Sequence, residues 1–123
     1  MFKTSDGHIN IATTGGAIWE RFCRALGAEA MIKKPEYQNA KARSQNRKAL
    51  NAEIDTYTAK KSSAEWIEIF NKAGVPCGPI YSIDEIFEDP QYDARGNILT
   101  MHDDRVGEVR IPNLVPRLSD TPG

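Results

Sequence analysis

Apolar and polar positions alternate in residues 8–13, HINIAT, with Ile9 and Ile11 on one face. That period predicts a short strand. Phe2 to Gly7 reads as a strand end closing in an Asp6-Gly7 turn. The period then changes. Ile18, Phe22 and Leu26, joined by Trp19 and Cys23, form one broad stripe and predict a helix over 16–26. Thr14 is the expected N-cap, and Gly27 falls where a C-terminal glycine belongs. Residues 28–42 follow neither period and are ambiguous; KPEYQN reads as a loop or a single helical turn. Leu50, Ile54 and Tyr57 recur at helical spacing and predict a second helix over 44–60, with one face in solvent.

Punctuation is clearer further on. Ser62-Ser63-Ala64-Glu65 spells a capping box ahead of Trp66, Ile69, Phe70 and Ala73, and Gly74 ends that helix. In VPCGPIYS, Pro76 and Pro79 lack backbone donors, so a connector leading to a short strand at Ile80-Tyr81 is expected. Ser82-Ile83-Asp84-Glu85 is a second capping box, predicting a short helix with Ile83, Ile86 and Phe87 inward. Asp89-Pro90 interrupts it, and one more turn runs to Gly96. NILTM and EVRIP flank HDDRVG, a hairpin with its turn at Asp103 to Gly107. The order of elements predicts an α+β fold: a small mixed or antiparallel sheet with helices packed on one side, in two layers. Residues 1–123 are expected as a single domain.

Composition narrows the classes. The 123 residues are 40% hydrophobic and 27% charged, with a formal net charge of -1. That balance suits a globular domain and argues against a dedicated nucleic-acid or anionic-membrane binder. One stretch, KKPEYQNAKARSQNRK at 33–48, is locally basic and reads as a solvated loop and helix face, with phosphate contact by Lys33, Lys34 or Arg43 as the alternative. The polar N-terminus does not resemble a signal peptide, and no apolar run is long enough to span a bilayer. Cytoplasm is the expected location.

Candidate chemistry is sparse. Cys23 and Cys77 belong to no Cys/His cluster, so no metal site is expected. Cys23 lies on an apolar helix stripe. Cys77 has no histidine near it in sequence to activate a thiolate. Asp84, Glu85, Glu88 and Asp89 surround helix starts, where acids favour the dipole. His8 alternates toward solvent; His102 precedes Asp103 and Asp104, a pairing that suits a base and its orienter. The turn TTGGAIW joins strand to helix but carries neither the lysine of a phosphate-cradling loop nor a dinucleotide fingerprint. No catalytic residue is assigned. Gly15 and Gly16 are the candidates for cofactor contact, through the helix start they open.

Several stretches taken in order carry a resemblance: FKTSDGHINIA, Trp19 with FCRALG, KPEYQNAKARSQNRKALNAEI, AEWIEIFNKAGVPCGPIYSIDEIFEDPQYDARG and GEVRIPNLVPRLSDTPG. Together they resemble the class III coenzyme A transferases, a family that includes formyl-CoA and carnitine-CoA transferases and the α-methylacyl-CoA racemases. The resemblance implies the small domain only. Family members are about three times longer, on the order of two or three domains, with a large Rossmann-like domain that binds CoA and two interlocked chains. It places the nucleophilic aspartate in that large domain, a glycine-rich loop just before the position matching Phe2, and C-terminal helices after Gly123. The implied chemistry is attack of a carboxylate on an acyl-CoA thioester, giving a mixed anhydride and then an aspartyl-CoA thioester, from which an incoming acid takes the CoA. The CoA thioester is thus substrate of the whole protein, and this chain is expected to hold no cofactor of its own. Racemases of the family carry a catalytic glutamate near the position of Gly16. TTGGAIW has no acid, which favours the transferase branch and places this turn near the cleft.

The resemblance implies two partners, the large domain and a second subunit, while charge and hydropathy point to neither nucleic acid nor membrane. A homo-oligomer is expected of the chain alone. A non-enzymatic binding or assembly module on the same fold, and the racemase branch, are the alternatives.

Overall fold

The computed structural model describes residues 1–13 and 15–121. The chain, expected as a single domain, divides into two compact units, residues 1–80 and 81–123.

In the first unit, strands β1 (Phe2–Lys3) and β2 (His8–Ile11) form an antiparallel pair in which Phe2 faces Ile9. β3 (Cys77–Pro79) adds antiparallel to the other side of β2, giving the order β1-β2-β3. β3 is an edge strand, which is where prolines are tolerated. The strand expected at Ile80-Tyr81 therefore lies one step earlier, at Cys77–Pro79. β2 buries Ile9 and Ile11 and exposes His8 and Asn10, so one face of this sheet is packed and the other open.

The packed face is covered by helices α1 (Gly16–Leu26), α3 (Arg47–Thr58) and α4 (Ser63–Lys72). α1 contributes Trp19, Phe22, Cys23 and Leu26 to the core; α3 contributes Leu50 and Ile54; α4 contributes Trp66 and Phe70. Phe22 meets Phe70 at a ring separation of 5.5 Å, and Trp66 stacks on Phe70 at 5.1 Å, within the range where aromatic pairs add to their burial. The Trp66 indole donates to the Thr58 carbonyl at 2.8 Å. The helix ends follow their punctuation. Glu65 N–H donates to Ser62 Oγ at 3.3 Å, and Glu65 Oε2 accepts from the Ser62 N–H at 2.9 Å, closing the capping box. Gly27 and Gly74 take φ of 73° and 63° at the ends of α1 and α4, a left-handed conformation that glycine adopts without a Cβ clash.

The helix expected over 44–60 begins earlier and is broken. α2 (Ala40–Gln45) and α3 are separated at Asn46, whose side-chain amide donates to the Glu36 and Ala42 carbonyls at 3.1 and 3.0 Å. Side-chain competition for backbone groups is how asparagine interrupts helices. Residues 29–33 and 35–37 form 3-10 turns. The Thr14 cap lies outside the described residues. Gly15 holds the N-cap position, in extended conformation (φ -82°, ψ 150°).

In the second unit, α5 (Ile83–Glu88) and α6 (Pro90–Ala94) meet at Asp89, which caps α6 by accepting from the Gln91 N–H at 2.8 Å. β4 (Ile98–Asp103) and β5 (Gly107–Pro112) form the antiparallel hairpin with its turn where expected. Ile86 and Phe87 are half-buried, but Ile83 is 67% exposed, so the inward placement of Ile83 is corrected. It is the first residue of a six-residue helix, on the capping turn. Arg110 lies over the Phe87 ring at 4.5 Å. The fold class is α+β, and the sheets are antiparallel throughout the described residues.

Candidate functional site

The turn that opens α1 is the site's starting point. Trp19 N–H donates to the Gly15 carbonyl at 2.8 Å, the first bond of the helix. Gly15 and Gly16 do not take positive φ, so the backbone itself does not demand glycine. A Cβ on Gly16 would meet nothing within 4 Å, and one on Gly15 only the Ile18 side chain at 3.7 Å. The two glycines therefore leave the surface of the turn bare rather than relieving strain within it.

Beside this turn the locally basic segment is not a uniformly solvated face. Arg43, on α2, is 8% exposed. Its Nη1 donates to the Tyr37 carbonyl at 2.9 Å and its guanidinium lies 4.9 Å from the Trp19 ring. Trp19 in turn meets Tyr37 edge-on at 6.3 Å. Nothing local signals this: Arg43 sits in a polar stretch, and only the fold of 35–46 back over α1 buries it. Lys34 is likewise engaged, donating to both Glu53 oxygens at 2.7 and 2.8 Å, where Tyr37 also donates at 3.0 Å. The hydrogen bond to Glu53 raises the Lys34 ammonium above its ordinary value, and burial, then the bond to Glu53, raises the Tyr37 phenol.

A pocket of about 260 Å³ opens next to Arg43, lined by Thr13, Arg43, Ser44, Arg47, Leu50 and Asn51 among others. Arg47 is the first residue of α3 and is exposed. On the open face of the sheet, Asn10, Ala12, Pro76, Cys77 and Gly78 line a second depression of about 290 Å³.

The remaining candidates are dispersed. Cys23 is fully buried and its thiol is pushed up to about 12 by loss of solvent. Cys77 is half-buried, with its thiol raised by the same cause and its Sγ 3.8 Å from Asn71 Oδ1. Both stay protonated near neutral pH, unlike an activated nucleophile. Asp103 does not orient His102: its Oδ1 accepts from the Arg105 and Val106 N–H groups in the hairpin turn. Glu85 accepts from Ser82 N–H and Oγ, both at 2.7 Å, and Asp89 accepts from Tyr81 at 2.8 Å besides capping α6. Those acids serve helix starts. Among the described residues no group of three His, Cys, Asp or Glu side chains is placed to hold a metal, and no helix is long and apolar enough to cross a membrane. His8 stands at the exposed edge of β2, away from any such group.

Asp6 was legible only as a turn residue. Its Oδ1 accepts from the Ser63 N–H at 2.8 Å, Ser63 Oγ at 3.0 Å and Thr4 Oγ1 at 2.9 Å. It ties the β1-β2 turn to the start of α4, and those bonds, the Ser63 N–H first, hold its carboxyl below the usual aspartate range.

The family model described as CoA-transferase family III matches residues 1–123. The chain belongs to CoA-transferase family III. Its relatives in the family include a succinyl-CoA–D-citramalate CoA-transferase of Chloroflexus aurantiacus, 32% identical over 124 residues, covering all of this chain and 31% of the relative. A succinyl-CoA:glutarate CoA-transferase of Mus musculus is 30% identical over 96% of this chain and 27% of its own length. A formyl-CoA:oxalate CoA-transferase of Bradyrhizobium diazoefficiens is 34% identical over 89% of this chain and 26% of its own length. Among solved structures, a CAIB/BAIF family protein from Brucella suis superposes with a TM-score of 0.76 at 30% identity, over 98% of this chain and 31% of that one. Rv3272 from M. tuberculosis superposes at 0.78 with 19% identity, which speaks for the fold alone. The chain spans about a third of the length of the family members it matches.

Proposed function

We propose that this chain is the small domain of a CoA-transferase that moves CoA between an acyl-CoA thioester and a carboxylic acid. The observation that carries the reading is the family match over residues 1–123. In such an exchange an enzyme carboxylate attacks the acyl carbon and releases CoA thiolate, leaving a mixed anhydride. The thiolate attacks the enzyme's carbonyl of that anhydride and releases the first acid. The second acid then attacks the enzyme–CoA thioester, and the thiolate set free attacks the incoming acid's carbonyl of the new anhydride, restoring the carboxylate. A nucleophilic carboxylate must be unpaired and face a cleft. Asp6, Glu65, Glu85 and Asp89 are instead bound to turn and helix-start donors and Glu53 to Lys34 and Tyr37, which supports a nucleophile supplied by the large domain.

The bare Gly15-Gly16 turn is the part of this chain that lies against the cleft, where a side chain would obstruct the thioester or the large domain. The absence of an acid in TTGGAIW supports exchange over racemisation, and the relatives cited are transferases by name. The free acids in those names, D-citramalate, glutarate and oxalate, are dicarboxylic, and we extend that acceptor class to this protein. The reading includes a cytoplasmic location, a second subunit as partner, and neither nucleic acid nor membrane.

Calorimetric titration with coenzyme A tests it. This chain alone is expected to bind CoA no more tightly than it binds inorganic phosphate, and a protein that also contains the large domain is expected to bind it saturably. Tight, stoichiometric CoA binding by the chain alone would contradict the division of roles.

A further inference from the structure

The pocket beside Arg43 brings together groups of one character. Arg43 and Arg47 supply two guanidinium groups, Ser44 and Thr13 hydroxyls, and Asn51 an amide, and no acidic side chain lines it among the described residues. Arg47 and Lys48 occupy the first turn of α3, the end of the helix where cations are disfavoured. That turn has neither an acidic residue nor a side-chain cap from Asn46. The Trp19 indole beneath Arg43 is the buried side-chain donor that lacks an acceptor among the described residues. The neighbourhood is thus rich in donors and positive charge and poor in acceptors. A pocket of about 390 Å³ lined by Arg24, Lys33 and Glu29 differs: its cations share it with a carboxylate.

Arg43 is held in place by Trp19 and the Tyr37 carbonyl, so its guanidinium is ordered before any ligand arrives. Arg47 is exposed and forms no ion pair among the described residues. One buried and one exposed guanidinium at a small pocket is an arrangement that suits an oxyanion, because guanidinium donors match carboxylate and phosphate oxygens in pairs.

We propose that the Arg43–Arg47 pocket binds a terminal oxyanion, the carboxylate of a dicarboxylic acid or a phosphate. Its link to CoA exchange rests on the reading above; its affinity for an oxyanion does not. The pocket also lies beside the Thr13 end of the bare turn, so an anion held there stands next to the surface assigned to the cleft.

The test is amide NMR on this chain, titrated separately with succinate and with inorganic phosphate at constant ionic strength. Saturable shifts centred on Thr13, Ser44, Arg47 and Asn51 are expected, with a roughly millimolar Kd. Arg47→Ala is expected to weaken them at least about tenfold, Arg47→Lys to restore part of the affinity, and Lys48→Ala to leave it unchanged. A response to succinate alone identifies a carboxylate site, and a response to phosphate alone a phosphate site. Absence of saturation with both, or shifts indifferent to Arg47→Ala, overturns the proposal. Exchange activity in the longer protein would stand in that case. Conversely, anion shifts in this chain with no exchange by the longer protein would leave the pocket standing and the function reading fallen.

Discussion

Arg43 lies over the ring of Trp19 at 4.9 Å and donates to the Tyr37 carbonyl at 2.9 Å, joining α1, the 35–37 turn and α2 through one buried cation. Removing it strips a charge-assisted hydrogen bond and a cation–π contact and leaves a carbonyl and an indole face without their partner. Arg43→Ala is expected to cost about 2–4 kcal/mol. Arg43→Lys recovers only part, because an ammonium lacks the planar fork. Urea unfolding of the two variants checks this; a loss under about 0.5 kcal/mol for Arg43→Ala would show the contact to be incidental.

Asp6 gives the first unit an acid-sensitive clasp. Its folded carboxyl titrates below the unfolded value, so the unfolded chain binds the extra proton in the acid range. The stabilisation is complete above about pH 4 and is lost as pH falls through the folded value. Asp6→Asn should lower the melting temperature at neutral pH and flatten its decline toward acid. A melting profile of Asp6→Asn parallel to wild type down to low pH would show that Asp6 carries none of the acid sensitivity.

Glycines at two helix boundaries should answer substitution in opposite ways. Gly16 has open space at its Cβ and no positive φ. Gly16→Ala is expected to raise this chain's stability by a few tenths to about 1 kcal/mol, and to lower exchange activity in the longer protein by crowding the cleft. Gly74 has φ 63°, and a Cβ there would stand 2.7 Å from the Arg21 guanidinium. Gly74→Ala is expected to cost about 1–2 kcal/mol. Melting curves for the pair, with turnover for Gly16→Ala, decide both.

Neither thiol should behave as a nucleophile. Cys23 is expected to resist a disulfide reagent until the chain unfolds, since it is fully buried with a thiol near 12. Cys77 is expected to react more slowly than a free thiol at neutral pH, because burial raises it. Faster-than-free reaction of Cys77 would reopen it as a chemical group.

What the sequence disclosed followed local signals. α1 and its Gly27 terminus, the Ser62 and Ser82 boxes and the Asp103–Gly107 turn each depend on residues within a few positions of one another, and each stands where the pattern put it. Features set by distant contacts were hidden. Asn46 breaks the 40–58 helix because it reaches Glu36, ten residues back. β3 starts at Cys77 because it pairs with Ile11, which no property of VPCGPIYS reveals. Arg43 and Arg47 were part of a charge run until the chain folded one over Trp19 and left the other at a pocket mouth. The family was legible because its motifs run the length of the chain.

The most direct measurement is CoA exchange from succinyl-CoA to a dicarboxylic acid, followed by chromatography, with this chain alone and with a protein that also contains the large domain. The account predicts turnover by the longer protein and none above the uncatalysed rate by this chain. Turnover by residues 1–123 alone, or none by the longer protein with any dicarboxylic acceptor, would contradict it.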